Sequence, residues 1–161
     1  DIIIPEGSLK KDINFLVEGL VRSFAINSKG EEISTAVYWE NMMFGSPDVI
    51  LFDQPCRFYF QAMEPTHVLT SNYDELQLLL SKNINLLESR KFILQNMLRL
   101  AFQRIESFIM LSPEERYLQL LEKNPELHNR LQVKHIAHIL GITPVSLSRI
   151  RKRLADRKSG S

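Results

Sequence analysis

Hydrophobic and polar positions divide the chain into two parts with different periods. In roughly the first 70 residues, short runs rich in β-branched and aromatic residues alternate with turn-forming segments. The runs are IIIPEG, NFLVEGLVRSFAI, EISTAVYW, RFYFQAM and THVLT, and the turns fall at residues 28–30, 45–48 and 53–55. This spacing predicts a small antiparallel barrel or sandwich. The lack of βαβ alternation and of a glycine-rich phosphate motif argues against nucleotide-binding α/β folds.

After Ser71-Asn72 the pattern takes a helical period. It predicts a short helix from Tyr73 to about Lys82 and a long one from Ile84 to about Leu111, a range without Pro or Gly. A heptad-like apolar stripe on the long helix comprises Leu87, Leu94, Leu98, Ala101, Ile105 and Phe108. A second stripe on another face comprises Leu86, Ile93, Met97 and Leu100. One face is expected to cover the barrel and the other to meet a second copy; the alternative is a helix buried within its own domain.

A new helix is signalled by Ser112-Pro113 and ends near Pro125. Serine can cap this helix, proline suits its first position, and Glu114 and Glu115 complement its dipole. These two acids are therefore interpreted as helix-start residues rather than catalytic carboxylates. The domain boundary is placed near Leu111.

Residues 132–155 read as a helix-turn-helix. The inward positions of the two helices are Val133, Ile136, Ala137 and Leu140, and then Leu147, Ile150 and Leu154. Gly141 supplies the turn between them, Thr143 can cap the second helix, and Pro144 is tolerated at its first position. A small residue at the helix crossing, followed by a glycine four residues later, fits this motif.

The outward face of the second helix is suited to DNA. Arg149 is expected to bond a guanine edge and Ser146 a base or a phosphate, because the start of such a helix enters the major groove. The predicted DNA-binding residues are Lys134, Thr143, Val145, Ser146, Ser148, Arg149, Lys152 and Arg153. Three of them, Lys134, Lys152 and Arg153, suit phosphates. The alternative is a protein-packing unit with a basic helix end.

Charge is segregated toward the same end. Residues 130–158 contain eight Lys/Arg and one acid, whereas the rest of the chain contains 12 Lys/Arg and 18 Asp/Glu. Such segregation favours a cationic surface for a polyanion over mixed solubility charges, although a solvated helix has the same composition.

Other features narrow the class of protein. No apolar run approaches the about 18 residues that span a bilayer, so a cytoplasmic protein without membrane contact is expected. Cys56 is the single cysteine and is predicted to be a half-buried strand residue. His135 and His138 lack a third ligand at metal spacing and are interpreted as phosphate contacts or surface residues. Without a histidine cluster, a cupin-like enzyme is disfavoured, and neither metal, cofactor nor catalytic residue is predicted.

These segments together resemble the CRP/FNR-type bacterial transcription regulators over nearly the whole chain. LVEGLVRSF followed by KGEE is similar to the family's sensor barrel, and RFYFQAMEPTHVLTSNYDELQLLL to its last strands and following helix. The range Ile84–Leu111 resembles the dimer helix, and SPEERYLQLL with HIAHILGITPVSLSRIRKRL the DNA-binding domain. The form of the latter resembles the branch common in Bacteroidetes. The resemblance implies an α+β fold: a cyclic-nucleotide-binding-like jelly roll, or β-roll, a long dimerisation helix and a C-terminal helix-turn-helix domain.

The resemblance has departures. Members that bind cyclic nucleotides have a phosphate cassette with a Gly-Glu pair and, later, an Arg-Ser pair; here Gly45 precedes Ser46, and the later positions hold Cys56 and Arg57. A displacement by one residue in a strand turns the arginine to the opposite face, so cyclic AMP is not the expected effector. In the recognition helix only Arg149 matches the family clearly, so no operator sequence is implied.

The sequence therefore predicts a non-enzymatic transcription regulator that binds double-stranded DNA as a homodimer and has an unknown small-molecule effector or none. Its predicted parts are a sensor β-roll with a short helix (residues 1–82), a long dimerisation helix (83–111) and a DNA-binding domain (112–161). The alternative is a ligand- or protein-binding dimeric sensor without operator selectivity.

Overall fold

The computed structural model describes residues 1–82 and 87–159, except for the side chains of residues 87–90, 93, 158 and 159. The described residues up to 72 form two antiparallel sheets, here called the roll. Its strands are β1 (Ile2–Ile4), β2 (Asp12–Glu18), β3 (Val21–Ile26), β4 (Glu32–Tyr38), β5 (Met43–Phe44), β6 (Tyr59–Ala62) and β7 (His67–Asn72). One sheet has the order β1-β6-β3-β4 and the other β5-β2-β7. The predicted antiparallel pairing is confirmed.

Three details of the roll differ from the sequence prediction. The predicted turn after Gly45 leads into a short helix, α1 (Pro47–Phe52). The run NFLVEGLVRSFAI contains two strands, because Gly19 has a φ of 104° and turns the chain. A Cβ atom at Gly19 would lie 2.5 Å from the Thr66 Oγ1 atom, so this turn has no room for a side chain. Cys56 is 1% exposed and precedes β6, so it is neither half-buried nor in a strand.

Six helices follow in the described residues, and three of them begin where the sequence places a capping residue. They are α2 (Tyr73–Ser81), α3 (Leu87–Met110), α4 (Pro113–Lys123), α5 (Leu127–Arg130), α6 (Val133–Ile139) and α7 (Pro144–Ser159). The Asn72 side chain caps α2, and Ser112 and Glu115 form a reciprocal capping box at α4. Residues 83–86, at the predicted start of the long helix, lie outside the described residues. No helix in the described ranges is both long and apolar enough to span a bilayer.

A buried polar cluster joins α6 to the roll. Arg22 of β3 and His135 of α6 are each 3% exposed. The Arg22 Nη1 atom lies 3.1 Å from His135 Nδ1, and the Ser34 Oγ atom lies 2.9 Å from the same nitrogen. Arg22 also donates to Glu32 and Gln61, so its buried charge is paired and hydrogen-bonded. Because a guanidinium can only donate, His135 accepts through Nδ1 and is neutral.

A second cluster joins α5 to the roll. Arg130 Nη2 donates to Glu40 Oε1 over 2.6 Å, and Arg130 Nε donates to Glu64 Oε1 over 3.1 Å. The hydrogen bonds from Arg130 lower the pKa of Glu40 to about 2. Beside them, Leu20 of the roll is fully buried in the same apolar cluster as Leu127. The roll and the C-terminal helices therefore share one core.

The surroundings of His135 oppose protonation of its ring. Burial contributes most, followed by the charges of Arg22, Lys134 and His138, whereas Glu32 acts in the opposite direction; the resulting pKa is about 4. The pKa of a histidine in the unfolded chain is about 6.5. As the pH falls below that value, the unfolded state takes up a proton and the native state does not, so the free energy of unfolding falls until the native ring titrates.

We expect His135→Gln to reduce the pH dependence of stability. Between pH about 6.5 and about 5, the wild-type free energy of unfolding should fall by up to about 1.4 kcal/mol per pH unit more than that of the variant. Urea unfolding across this range measures both slopes. The control is His128→Gln, which removes a histidine outside the Arg22 cluster, whose ring bonds to the Pro125 carbonyl. Equal slopes in wild type and His135→Gln would contradict a buried neutral ring.

Candidate nucleic-acid interface

Helices α6 and α7 are joined by residues 140–143, as the sequence predicts. The Thr143 Oγ1 atom accepts the Ser146 backbone N–H over 3.1 Å and caps α7. Pro144 takes the first helical position, where its missing N–H costs nothing. The local signals thus place the start of α7 correctly.

The turn itself packs against the end of α3. Gly141 has a φ of 67°, in the left-handed region that favours glycine. A Cβ atom at this position would lie 2.6 Å from the Phe108 Cε1 atom. The backbone conformation therefore favours glycine here, and any side chain would also have to displace the Phe108 ring.

Two arginines fix the end of α6 to its neighbours. The guanidinium groups of Arg104 and Arg116 both lie over the Phe108 ring, with distances of 5.2 and 4.5 Å from their Cζ atoms to its centroid. Arg104 Nη2 donates to the Ile139 carbonyl over 3.3 Å, and Arg116 Nη2 donates to the Leu140 carbonyl over 3.0 Å. Sequence reasoning missed both roles, since neither arginine stands out from an ordinary charged helix position.

The inward stripe of α7 is confirmed. Leu147 and Ile150 are buried, and the partly buried Leu154 packs against the same cluster as Ala137. This packing leaves the predicted DNA-binding side of α7 toward solvent. Exposed residues there are Thr143, Val145, Ser148, Arg149, Lys152 and Arg153, and Lys134 is exposed on α6. Ser146 is half-buried beside them.

The cations of α7 differ in their surroundings. Within the described residues, Arg149 and Lys152 take part in no ion pair. Arg153 Nη2 lies 3.0 Å from Glu114 Oε2, and Arg157 Nη1 lies 2.6 Å from Glu114 Oε1. The hydrogen bond from Arg153 is the main cause that lowers the pKa of Glu114. Glu114 therefore does more than complement a helix dipole, and a phosphate at Arg153 competes with this carboxylate.

One of the two histidines of α6 does not lie where the sequence interpretation put it. His135 is buried against Arg22 and Ser34, so its interpretation as a phosphate contact or surface residue is wrong. The His138 Nδ1 atom accepts the Ser34 backbone N–H over 3.3 Å. Among the described residues, no group of three His, Cys, Asp or Glu side chains is placed to hold a metal ion.

Helix α3 leaves a row of apolar side chains exposed. They recur every three or four residues: Leu94, Leu98, Phe102, Ile105 and Ile109. Ala101 and Phe108, which the sequence places on this stripe, have contacts within the chain: Ala101 lines a cavity against the roll, and Phe108 packs on Gly141. The side chain of Leu87 lies outside the described residues. Ala101 and Phe108 are nevertheless exposed, so Phe102 and Ile109 add to the predicted stripe and do not replace any of it.

The segment that corresponds to the phosphate cassette contains its own ion pair. Arg57 is exposed and Cys56 is buried, so the two point to opposite sides, although β6 begins only at Tyr59. Asp48 of α1 accepts Arg57 Nε over 3.0 Å and Nη2 over 2.8 Å through Oδ1. The arginine of this segment is thus already neutralised.

The fold is that of known regulators. The structure of FixK2 from Bradyrhizobium japonicum superposes with a TM-score of 0.80 and 19% identity, covering 98% of this chain and 81% of that one. TTHA1359 from Thermus thermophilus, a transcriptional regulator of the CRP/FNR family, gives a TM-score of 0.71 and 18% identity over 98% and 82% of the two chains. The global regulator CLP from Xanthomonas campestris gives a TM-score of 0.68 and 15% identity, covering 98% of this chain and 84% of that one.

At these identities the likeness establishes the fold alone. No family model matches the sequence, and no curated protein matches it significantly. The structural neighbours are CRP/FNR-type transcription regulators, and the chain has their fold of β-sheets with several helices. The Bacteroidetes-like branch stays a prediction.

We expect Gly141→Ala to destabilise the protein more than a glycine substitution that only strains the backbone. Positive φ and the clash with Phe108 should together cost roughly 2–5 kcal/mol. Gly30→Ala is the matched control, since Gly30 has a φ of 80° but a methyl group placed there would meet no side chain or distant backbone atom within 4 Å. Urea unfolding compares the two variants. An equal loss at both glycines would rule out the close packing of Phe108 on the turn.

Proposed function

We propose that the chain is a sequence-specific DNA-binding transcription regulator of the CRP/FNR type that acts as a homodimer. The observation that carries this proposal is the orientation of α7. Leu147 and Ile150 fix this helix on the core, while Arg149 and Lys152 stay exposed and form no ion pair among the described residues. Residues 112–161 form the helix-turn-helix domain in this proposal, 83–111 the dimerisation helix and 1–82 the sensor unit.

The proposed DNA contacts are of two kinds, those that read the base sequence and those that bind phosphates. Arg149 reads a guanine edge in the major groove, and Ser146, held beside it by Thr143, contacts a base or a phosphate. Lys152 and Lys134 bind phosphates, which position the protein without selecting sequence. The other proposed contacts at this surface are Thr143, Val145, Ser148 and Arg153.

The dimer is proposed to form along α3. The predicted stripe residues Leu94, Leu98, Ala101, Ile105 and Phe108 are exposed along this helix, in a spacing that a second α3 can match. The structure adds Phe102 and Ile109 to the surface that we assign to this contact. Paired α3 helices set the distance between two recognition helices, which must match major grooves about 34 Å apart.

The effector, where one acts, is proposed not to be cyclic AMP. The Asp48 carboxylate already bonds the guanidinium of Arg57, so a cyclic phosphate would have to compete with a carboxylate of the same chain. No catalytic role is proposed for any residue.

The second candidate function is a dimeric sensor module that binds a ligand or a protein without selecting an operator. The pairing of Arg153 and Arg157 with Glu114 favours it, because this pairing reduces the cationic charge of α7. Salt dependence separates the two: DNA affinity should fall steeply as salt rises, because phosphate contacts release counterions.

Selection from random duplex DNA at moderate salt tests the proposed function. Wild type should recover a two-fold symmetric motif, and Arg149→Ala should lose or relax one position in each half-site at a cost of about 1–3 kcal/mol. Lys152→Ala should weaken binding to every sequence and keep the motif. Lys29→Ala, at an exposed lysine in the β3–β4 turn, controls for lost charge. If no motif emerges with or without candidate effectors, the sensor-module function gains support.

We expect Leu98→Glu to produce monomers that bind DNA weakly. A carboxylate in an apolar helix contact pays a desolvation cost that the partner helix does not offset. Sedimentation equilibrium and DNA titration measure the two effects. Leu69→Glu, at an exposed leucine on β7, is the control and should stay dimeric. A Leu98→Glu protein that remains a dimer would show that the contact lies elsewhere.

A further inference from the structure

The charge of the proposed DNA-binding surface does not come from the C-terminal segment alone. Residues 130–158 contain eight Lys/Arg and one acid, but the start of α4 lies against the same helix α7. An open groove of about 670 Å³ lies between these two helices. Helix α7 contributes Ser146, Arg149 and Arg153 to its lining, and α4 contributes Glu114 and Glu115. Two carboxylates therefore line the groove beside the residues that we propose to contact bases.

These two carboxylates have different partners. Glu115 completes the capping box, because its Oε2 atom accepts the Ser112 backbone N–H over 2.8 Å. The Glu114 carboxylate instead reaches across to α7. Arg153 Nη2 donates to its Oε2 atom over 3.0 Å, and Arg157 Nη1 donates to its Oε1 atom over 2.6 Å. Each oxygen of Glu114 thus bonds one cation of the proposed DNA-binding helix.

A DNA phosphate can reach these two arginines. The side chains of Arg153 and Arg157 are 55% and 67% exposed, whereas that of Glu114 is 20% exposed. An exposed ion pair typically contributes no more than about 1 kcal/mol, so it can be exchanged for another. A phosphate bonds a guanidinium in the same way as a carboxylate does. Glu114 and a phosphate therefore compete for the same donors, and the exchange leaves a carboxylate beside a phosphate, which is unfavourable.

We propose that Glu114 is an internal competitor of DNA phosphates and limits the sequence-independent part of DNA binding. It holds Arg153 and Arg157, whereas Arg149 and Lys152, which form no ion pair within the described residues, stay available to DNA. Phosphate contacts add affinity for every sequence. Glu114 therefore lowers the affinity for an operator and for other DNA by the same factor. This role rests on the proposed function, since it is a role within the same DNA-binding surface.

Titration of wild type and Glu114→Gln with the selected duplex and with a random duplex tests this role. Glutamine has nearly the same shape as glutamate and lacks the charge. The variant should bind both duplexes more tightly by the same factor, about tenfold or more at about 0.1 M salt. The slope of log K against log salt concentration should become steeper by about 2, because each subunit of the dimer gains one phosphate contact at about 0.9 per contact.

Glu122→Gln is the matched control for this charge change. Glu122 is exposed in the last turn of α4, does not line the groove and takes part in no ion pair between described residues. The control should keep the wild-type affinity within about twofold and the wild-type salt slope. Far-UV circular dichroism shows whether each variant is folded. A folded Glu114→Gln protein with the affinity and slope of the control would overturn the proposal.

Arg153→Gln in both backgrounds tests whether Glu114 acts through the arginine. In wild type the loss of Arg153 should weaken DNA binding by about twofold or less, because Glu114 already holds this side chain and Arg157 continues to pair with Glu114. In the Glu114→Gln protein the same substitution should remove most of the gain in affinity. An equal weakening in the two backgrounds would mean that the carboxylate and the arginine act independently, which contradicts the proposal.

The random duplex separates this proposal from the proposed function. If selection yields no motif but Glu114→Gln binds the random duplex more tightly and with a steeper slope, operator reading is rejected and the role of Glu114 is retained. A selected motif with no gain in Glu114→Gln would reject the role of Glu114 alone. A gain on the selected duplex only would mean that Glu114 acts on base reading, and it would also overturn the proposal. No binding of either protein to any duplex would reject both.

Discussion

The position of the C-terminal helices depends on a buried guanidinium. Arg22 can be almost fully buried because all three of its guanidinium nitrogens have hydrogen-bond acceptors. These acceptors are Glu32, Gln61, Ser34 and the neutral His135 ring. One of those acceptors belongs to α6 and the others belong to the roll. A displacement of α6 would leave a buried charge with fewer partners, which costs several kcal/mol. This contact, with the Arg130 cluster and the apolar contact of Leu20, holds the roll and the helices together.

The opposite end of α6 is held by α3 and α4. Phe108 of α3 lies against Gly141, and Arg104 of α3 and Arg116 of α4 donate to the last carbonyls of α6. Helix α6 therefore has two supports, the roll at the His135 ring and the α3 and α4 side chains at its C-terminal end. In the proposed regulator, a shift of the roll against α3 acts on both supports and, through them, on α7. Such a shift is how a ligand changes DNA affinity in this regulator, and couplings of this kind are typically about 1–3 kcal/mol.

Local signals in the sequence predicted most elements, and long-range contacts account for what they missed. The capping box of α4 and the turn at Gly141 depend on neighbouring residues, so both could be predicted. The burial of His135 could not, because its partner Arg22 is 113 residues away along the chain. Helix α1 is a different case, because it has the same Ser-Pro-acid start as α4, and this local signal was interpreted as a turn. The spacing of apolar residues predicted the stripe of α3, but it did not predict which residues of this helix face the roll.

The claim that the roll and the C-terminal helices form one body is tested most directly by urea unfolding followed with two probes. Trp39, the single tryptophan, belongs to the roll and packs against the shared core, whereas far-UV circular dichroism reports mainly the helices. At a fixed protein concentration, both signals should change with the same midpoint, and Arg130→Met should lower both midpoints equally. Loss of helical signal before the fluorescence of Trp39 changes would mean that the helices unfold on their own and would contradict the shared core.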